Sequence, residues 1–182
     1  MRRLAAIALF GVLLSGCSAA GSKVKPARFQ MEGSLTDVME LGWDECFIDT
    51  TAPDEIAVRF VRKRGENDAG ALEDTPLKIV WAQAGQVLNT PSTIDLAEPR
   101  PDDPNRQRAV VSRNVLDDKR SVFPLMVRSD PNNPKGPGRM SFLDQILPDS
   151  TVRGTFNITF ENGIDFANGR TVFGSFTAKV PP

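Results

Sequence analysis

Two stretches near the end of the chain constrain the fold more than any others. Val152, Gly154, Phe156, Ile158 and Phe160 alternate with Arg153, Thr155, Asn157, Thr159 and Glu161; later Val172, Gly174, Phe176, Ala178 and Val180 alternate with Thr171, Ser175, Thr177 and Lys179. Successive side chains of a strand point to opposite faces, so a period of two marks a half-buried strand. Directly opposed residues share a face. Two even-numbered apolar sets can therefore line one core only across a connection with an odd number of residues. Two-residue turns at Asn162-Gly163 or Asn168-Gly169 are excluded, because either would send one apolar set into water. Ile164 and Phe166 extend the first set, so the spacing predicts a three-residue loop Ala167-Asn168-Gly169 with Gly169 left-handed, and a longer odd loop if the strand breaks at Asn162-Gly163. Gly154 and Gly174, on the inward face, are expected to admit large neighbours from an opposite sheet.

The rest of the chain carries the same period in weaker form. Phe29, Met31, Gly33 and Leu35 alternate with polar residues, and Ile56, Val58 and Phe60 open a strand after the Ala52-Pro53-Asp54 turn. Val38 to Thr51 reads as a further strand. Gly65 to Thr75 is polar and acidic, which predicts a loop before Leu77, Ile79 and Trp81 resume the alternation. Four prolines between Asn89 and Arg108 make that region loop apart from a short strand at Thr93 to Ala97. Val110, Val111 and Val115 mark another strand. Ser121 to Arg128 reads as a strand whose Pro124 cannot donate to a ladder, placing it at a sheet edge or a bulge. Met140 to Leu147 fits either a strand that ends early or one short helix. Seven or eight short strands with long Pro/Asn/Gly loops predict an all-β antiparallel β-sandwich, immunoglobulin-like or transthyretin-like, over residues 29–182. A small β-barrel is the alternative.

Several chemistries are removed by composition. The chain has no histidine. Ser-His-Asp and Cys-His catalysis, histidine-containing zinc sites and histidine pH switches are therefore unavailable. Catalysis by paired carboxylates needs no histidine and stays open. No catalytic, cofactor or metal residues are assigned. The loops Pro101-Asp102-Asp103-Pro104-Asn105 and Ser129 to Gly138 could offer oxygen ligands to calcium, but neither has the spacing of a dedicated calcium loop. Arg62, Lys63 and Arg64 form a basic cluster that reads as a solvated strand end, with an acidic-ligand patch as the competing reading. Trp43 and Trp81 are expected in the core, with carbohydrate stacking as their alternative role.

At the other end, Arg2 and Arg3 precede an uncharged apolar run from Leu4 to Leu14 and then small residues, the layout of a secretory signal. Such a run spans only about 16 Å as a helix, against a hydrocarbon core of about 30 Å, too short for a spanning anchor. Leu14-Ser15-Gly16-Cys17 resembles the lipobox of bacterial lipoproteins, with all four positions matching. The resemblance implies cleavage of residues 1–16, diacylglyceryl attachment to the Cys17 sulfur and acylation of the new amine. It also implies residence in the bacterial cell envelope, with Ser18 resembling the outer-membrane default. Residues 17–28 then read as a lipidated tether, reaching roughly 17 to 20 Å as a coil.

Without Arg2 and Arg3, the 22 basic residues fall to 20 against 23 acidic ones, a net charge of −3. This balance, with signs interspersed, argues against nucleic acid as a partner. Cys46 becomes the remaining thiol, expected to be packed away as a small hydrophobe. The resulting expectation is a membrane-anchored, non-catalytic envelope lipoprotein that binds an envelope protein as an accessory or structural module. A glycan-binding or adhesion module is the alternative, and a carboxylate-based hydrolase the third.

Overall fold

The alternating stretches do become strands. The computed structural model describes residues 31–50, 52, 54–67, 70–82, 92–116, 118–122, 125–133, 135–163 and 167–182, and among them there is no helix. The strands are β1 (Met31–Glu32), β2 (Glu45–Asp49), β3 (Glu55–Asn67), β4 (Gly70–Ala82), β5 (Ser92–Asp95), β6 (Ala109–Val115), β7 (Asp118–Val122), β8 (Val127–Arg128), β9 (Arg139–Phe142), β10 (Thr151–Phe160) and β11 (Thr171–Lys179). They form one hydrogen-bonded path, β5-β9-β10-β11-β2-β3-β4-β6-β7, with β1 added beside β11 and β8 beside β10. The all-β class is as the periodicity predicts. The pairing is not wholly antiparallel, because β11 meets β2 in parallel at Lys179 and Phe47.

The sheet curls into a half-barrel around Phe60. That ring lies 5.3 Å from Trp43, 5.5 Å from Phe156 on β10 and 6.0 Å from Phe176 on β11, all edge to face. Phe142 on β9 extends the cluster at 6.0 Å from Phe176. Strands far apart along the path thus share one core. The even-numbered residues of β10 from Val152 to Phe160 are all buried, and their odd-numbered neighbours stay in or near water.

Between β6 and β8 the sheet has a seam. β7 pairs with β6, while β8, a few residues later, pairs with β10. The side chain of Gln107 bridges this seam, donating from Nε2 to the Val127 carbonyl at 2.6 Å and accepting from the Val127 N–H at 2.8 Å. An amide offers a donor and an acceptor side by side, so it completes a ladder where no backbone is in reach. Gln107 is held on a short turn by its bridge to Pro99.

Several local expectations change. The C-terminal hairpin pairs Val152 with Ala178 and Thr159 with Thr171, so even residues do face even ones. Its odd connection is the longer one, Glu161 to Gly169, and not the three-residue loop. Gly169 is left-handed at φ 63°, as predicted. The proposed continuation through Ile164 and Phe166 lies outside the described residues. Gly154 does admit a large neighbour, but the ring is Phe176 from the adjacent strand and not one from a facing sheet; a Cβ there would also stand 2.6 Å from the Ser141 carbonyl oxygen. The predicted loop at Gly65 to Thr75 is instead a hairpin arm, with Lys63 opposite Glu73 and Arg62 opposite Asp74. Charged cross-strand pairs replace an apolar face there, which hides the strand from a hydrophobic period. The strand read from Phe29 to Leu35 stops at Glu32, and the one read from Val38 starts only at Glu45. Met140 to Leu147 is the strand that ends early. Ser121 to Arg128 is interrupted between β7 and β8; Pro124 itself lies outside the described residues.

Candidate functional site

The outward face of β5, β9, β10 and β11 carries a groove of about 700 Å³. Register explains its shape. Thr93 stands opposite Ser141, Ser141 opposite Thr155, and Thr155 opposite Ser175, so four neighbouring strands place a small hydroxyl residue on one rung. Thr93 Oγ1 and Ser141 Oγ are hydrogen-bonded at 2.9 Å. The next rung is taller: Asp95, Arg139, Asn157, Phe173 and Glu32 stand side by side. Leu143 rises on the opposite flank, and Lys135 stands at the rim. A row of short side chains between two taller ones makes a trough running across the strands.

Its polar groups are unequally used. The Arg139 guanidinium meets the Asp95 carboxylate at 2.9 Å and donates to the Asp130 carbonyl at 3.0 Å. Asp95 is held in turn by Ser129 Oγ and the Ala97 N–H, each at 2.9 Å. Arg139 Nε is buried without a partner among the described residues. Thr155, Asn157 and Ser175 line the groove, and their side chains make no hydrogen bond to a described protein group. Phe173 is 39% exposed, an aromatic ring on an otherwise polar face.

The residues singled out by sequence are placed differently. Cys17 and the rest of residues 1–30 lie outside the described residues. Cys46 is a free, buried thiol on β2. Burial pushes it up to about 12, against a minor opposing hydrogen bond from the Phe47 backbone. Trp43 and Trp81 are each 4% exposed, so neither ring offers a face for stacking a sugar.

The basic cluster is spent on the protein itself. Arg62 donates to the Gly42 and Glu40 carbonyls at 2.9 and 3.0 Å, and Lys63 pairs with Glu45 at 2.9 Å. Arg64 is bonded to Asp74, a fully buried carboxylate that also accepts from the Leu116 N–H at 3.0 Å. These residues tie the Glu40–Gly42 loop, β2 and β4 to β3 and do not form a free cationic patch.

The acidic loops likewise bond locally. Asp103 and Asp130 accept from backbone N–H groups two residues on, and Arg100 clamps Asp102 at 3.0 Å. Among the described residues, no three Asp, Glu, Cys or His side chains gather as a metal site. Among the described residues, the carboxyl groups with displaced titration are Glu45, Asp74, Asp102 and Asp144, and all four move down. For Asp74 burial acts upward, yet the Leu116 N–H and the Arg64 guanidinium outweigh it. Asp144 falls to about 2, because the Arg153 guanidinium and backbone N–H both bond it. A general acid needs the reverse displacement.

Comparison with protein-family models, curated proteins and solved structures finds no significant match. The groove was not found by sequence reasoning. Its hydroxyl rung depends on three strand registers at once, one of which, β5 with β9, joins segments distant in the chain. The polar alternation of β10 and β11 was the available signal, and it shows only that this face meets water.

Proposed function

We propose that the protein is a lipid-anchored component of the bacterial cell envelope, held on the outer membrane through Cys17, that acts without catalysis as an accessory or structural module for an envelope protein. The observation that carries this reading is the tetrad Leu14-Ser15-Gly16-Cys17 behind a short apolar run with Arg2 and Arg3 at its head. Two or three acyl chains hold a protein on a bilayer durably, since each buried methylene contributes about 0.8 kcal/mol. The non-catalytic part is supported by the raised, buried Cys46 thiol and by carboxylates drawn into ion pairs. For the body, we favour a sandwich-like reading, supported by the contacts of Phe60 on β3 with Phe156 and Phe176 on β10 and β11.

The test has two arms. Metabolic labelling with an alkyne fatty acid should tag the wild-type protein and not Cys17→Ser, and intact mass should show loss of residues 1–16. Crosslinking of the lipidated protein in its native envelope should then capture a defined protein. An unprocessed, unlabelled precursor removes the anchor, and repeated recovery of no partner removes the accessory role.

A further inference from the structure

We propose that the trough across β5, β9, β10 and β11 binds an extended oligosaccharide bearing a carboxylate. This goes beyond the anchored-module reading and does not depend on lipidation of Cys17. The trough crosses four strands, which at about 4.8 Å per strand gives a floor about 14 Å long, the scale of a short oligosaccharide. Its floor offers the unspent hydroxyls of Thr155 and Ser175, and the Asn157 amide stands beside them. Sugar hydroxyls, each a donor and an acceptor, match hydroxyl and amide groups that can play either part. The C–H face of a sugar ring is apolar. Phe173 supplies an exposed ring for it at one end of the taller wall, and Leu143, 51% exposed, lies on the other flank.

Charge selects within this class. The lining holds two cations, Lys135 and Arg139, and one carboxylate, Glu32; Arg139 is already paired with Asp95, so Lys135 is the cation left to meet a ligand. Lys135 stands near the β9 side, whereas Glu32 lies beyond β11, so a carboxylate on the sugar is favoured at the Lys135 end. The same geometry disfavours other ligands. The Thr155–Ser175 floor lies on a sheet face, where the backbone groups of β9, β10 and β11 are taken up by strands on both sides, so a peptide finds an edge to extend only at β5, the terminal strand, and not along the floor. Two cations, one already paired with Asp95, are few for a nucleic-acid backbone.

The experiment titrates the full chain in detergent with tetragalacturonate and, separately, with neutral chitotetraose, by calorimetry and by amide chemical shifts. Tetragalacturonate should bind more tightly and shift residues of β9, β10 and β11. Thr155→Val keeps the shape of an exposed strand residue and deletes one hydroxyl; it should weaken binding about fivefold. Phe173→Ala should weaken both sugars about tenfold, a change of about 1.4 kcal/mol. Lys135→Gln should abolish the preference for the acidic sugar. Circular dichroism of each variant checks that the fold is intact, and Thr155→Val carries the test should Phe173→Ala not fold. Binding of neither sugar, equal or tighter binding of chitotetraose, or binding unchanged by Thr155→Val and Lys135→Gln overturns the proposal. So does displacement of the sugar by an oligoglutamate peptide with the same dependence on these residues.

Discussion

Gln107 bridges the seam of the curled sheet, and replacing it with glutamate isolates what its amide does. The native side chain both donates to and accepts from Val127, whose backbone is almost wholly shielded at 2% exposure. Gln107→Ala leaves a buried N–H and a buried C=O without partners. At about 1 to 3 kcal/mol for each unpaired group, with some recovery by water at the half-buried Gln107 position, a loss of about 2 to 4 kcal/mol follows. Gln107→Glu keeps the shape and can still accept from the Val127 N–H. Above neutral pH it cannot donate, and its charge faces the Val127 carbonyl oxygen, so about 2 to 3 kcal/mol is lost.

Protonation restores the missing donor. The folded state therefore prefers the protonated acid, which raises its titration above the unfolded value of about 4.3. A group raised on folding binds more protons in the native state across that interval, so stability falls as pH rises through it. Urea unfolding of Gln107→Glu and wild type, side by side at pH 4 and pH 7.5, should show a gap that is small at the lower pH and full at the higher. Two results refute the reasoning. Either a gap under about 0.5 kcal/mol at both pH values, or one of equal size at both, means that Gln107 acts through packing or not at all.

Other parts of the fold make separate predictions. Gly154→Ala should destabilise by about 1 to 3 kcal/mol in the same unfolding assay, because its Cβ would meet the Phe176 ring and the Ser141 carbonyl; an unchanged midpoint would refute that packing. In a Cys17→Ser variant, Cys46 should resist a disulfide reagent at pH 8 in the native state and react on addition of denaturant; rapid native reaction would contradict its burial and its thiol at about 12. The Asp144 carboxyl carbon should titrate near 2, and Arg153→Gln should return it toward 3.8. Because Asp144 is lowered on folding, its contribution is present above the ordinary carboxylate value and is lost as pH falls through about 2; a wild-type midpoint near 3.8 would mean that the Arg153 pair does not persist in solution. Both tryptophans should emit as shielded rings and resist iodide quenching, and ready quenching would reopen a stacking role for Trp43 or Trp81.

What could be read from the sequence was set by chemistry local along the chain. The period of two in β10 and β11 fixed their buried faces and the odd parity of their connection, since alternation is a property of each strand by itself. The lack of histidine removed whole mechanisms before any geometry was known, and Cys46 could be expected inside because a lone thiol packs as a small hydrophobe. The Leu14 to Cys17 resemblance is likewise local. Register, curl and charge pairing are not, because they join residues far apart in sequence. Only the tertiary structure sets Thr155 beside both Ser141 and Ser175, brings Phe60 against Phe156, spends Arg62, Lys63 and Arg64 on their own neighbours, and carries the Gln107 amide to Val127. The β3–β4 arm stayed hidden for a related reason: charged residues stand opposite one another across its ladder, and opposition across a ladder leaves no hydrophobic period along the chain.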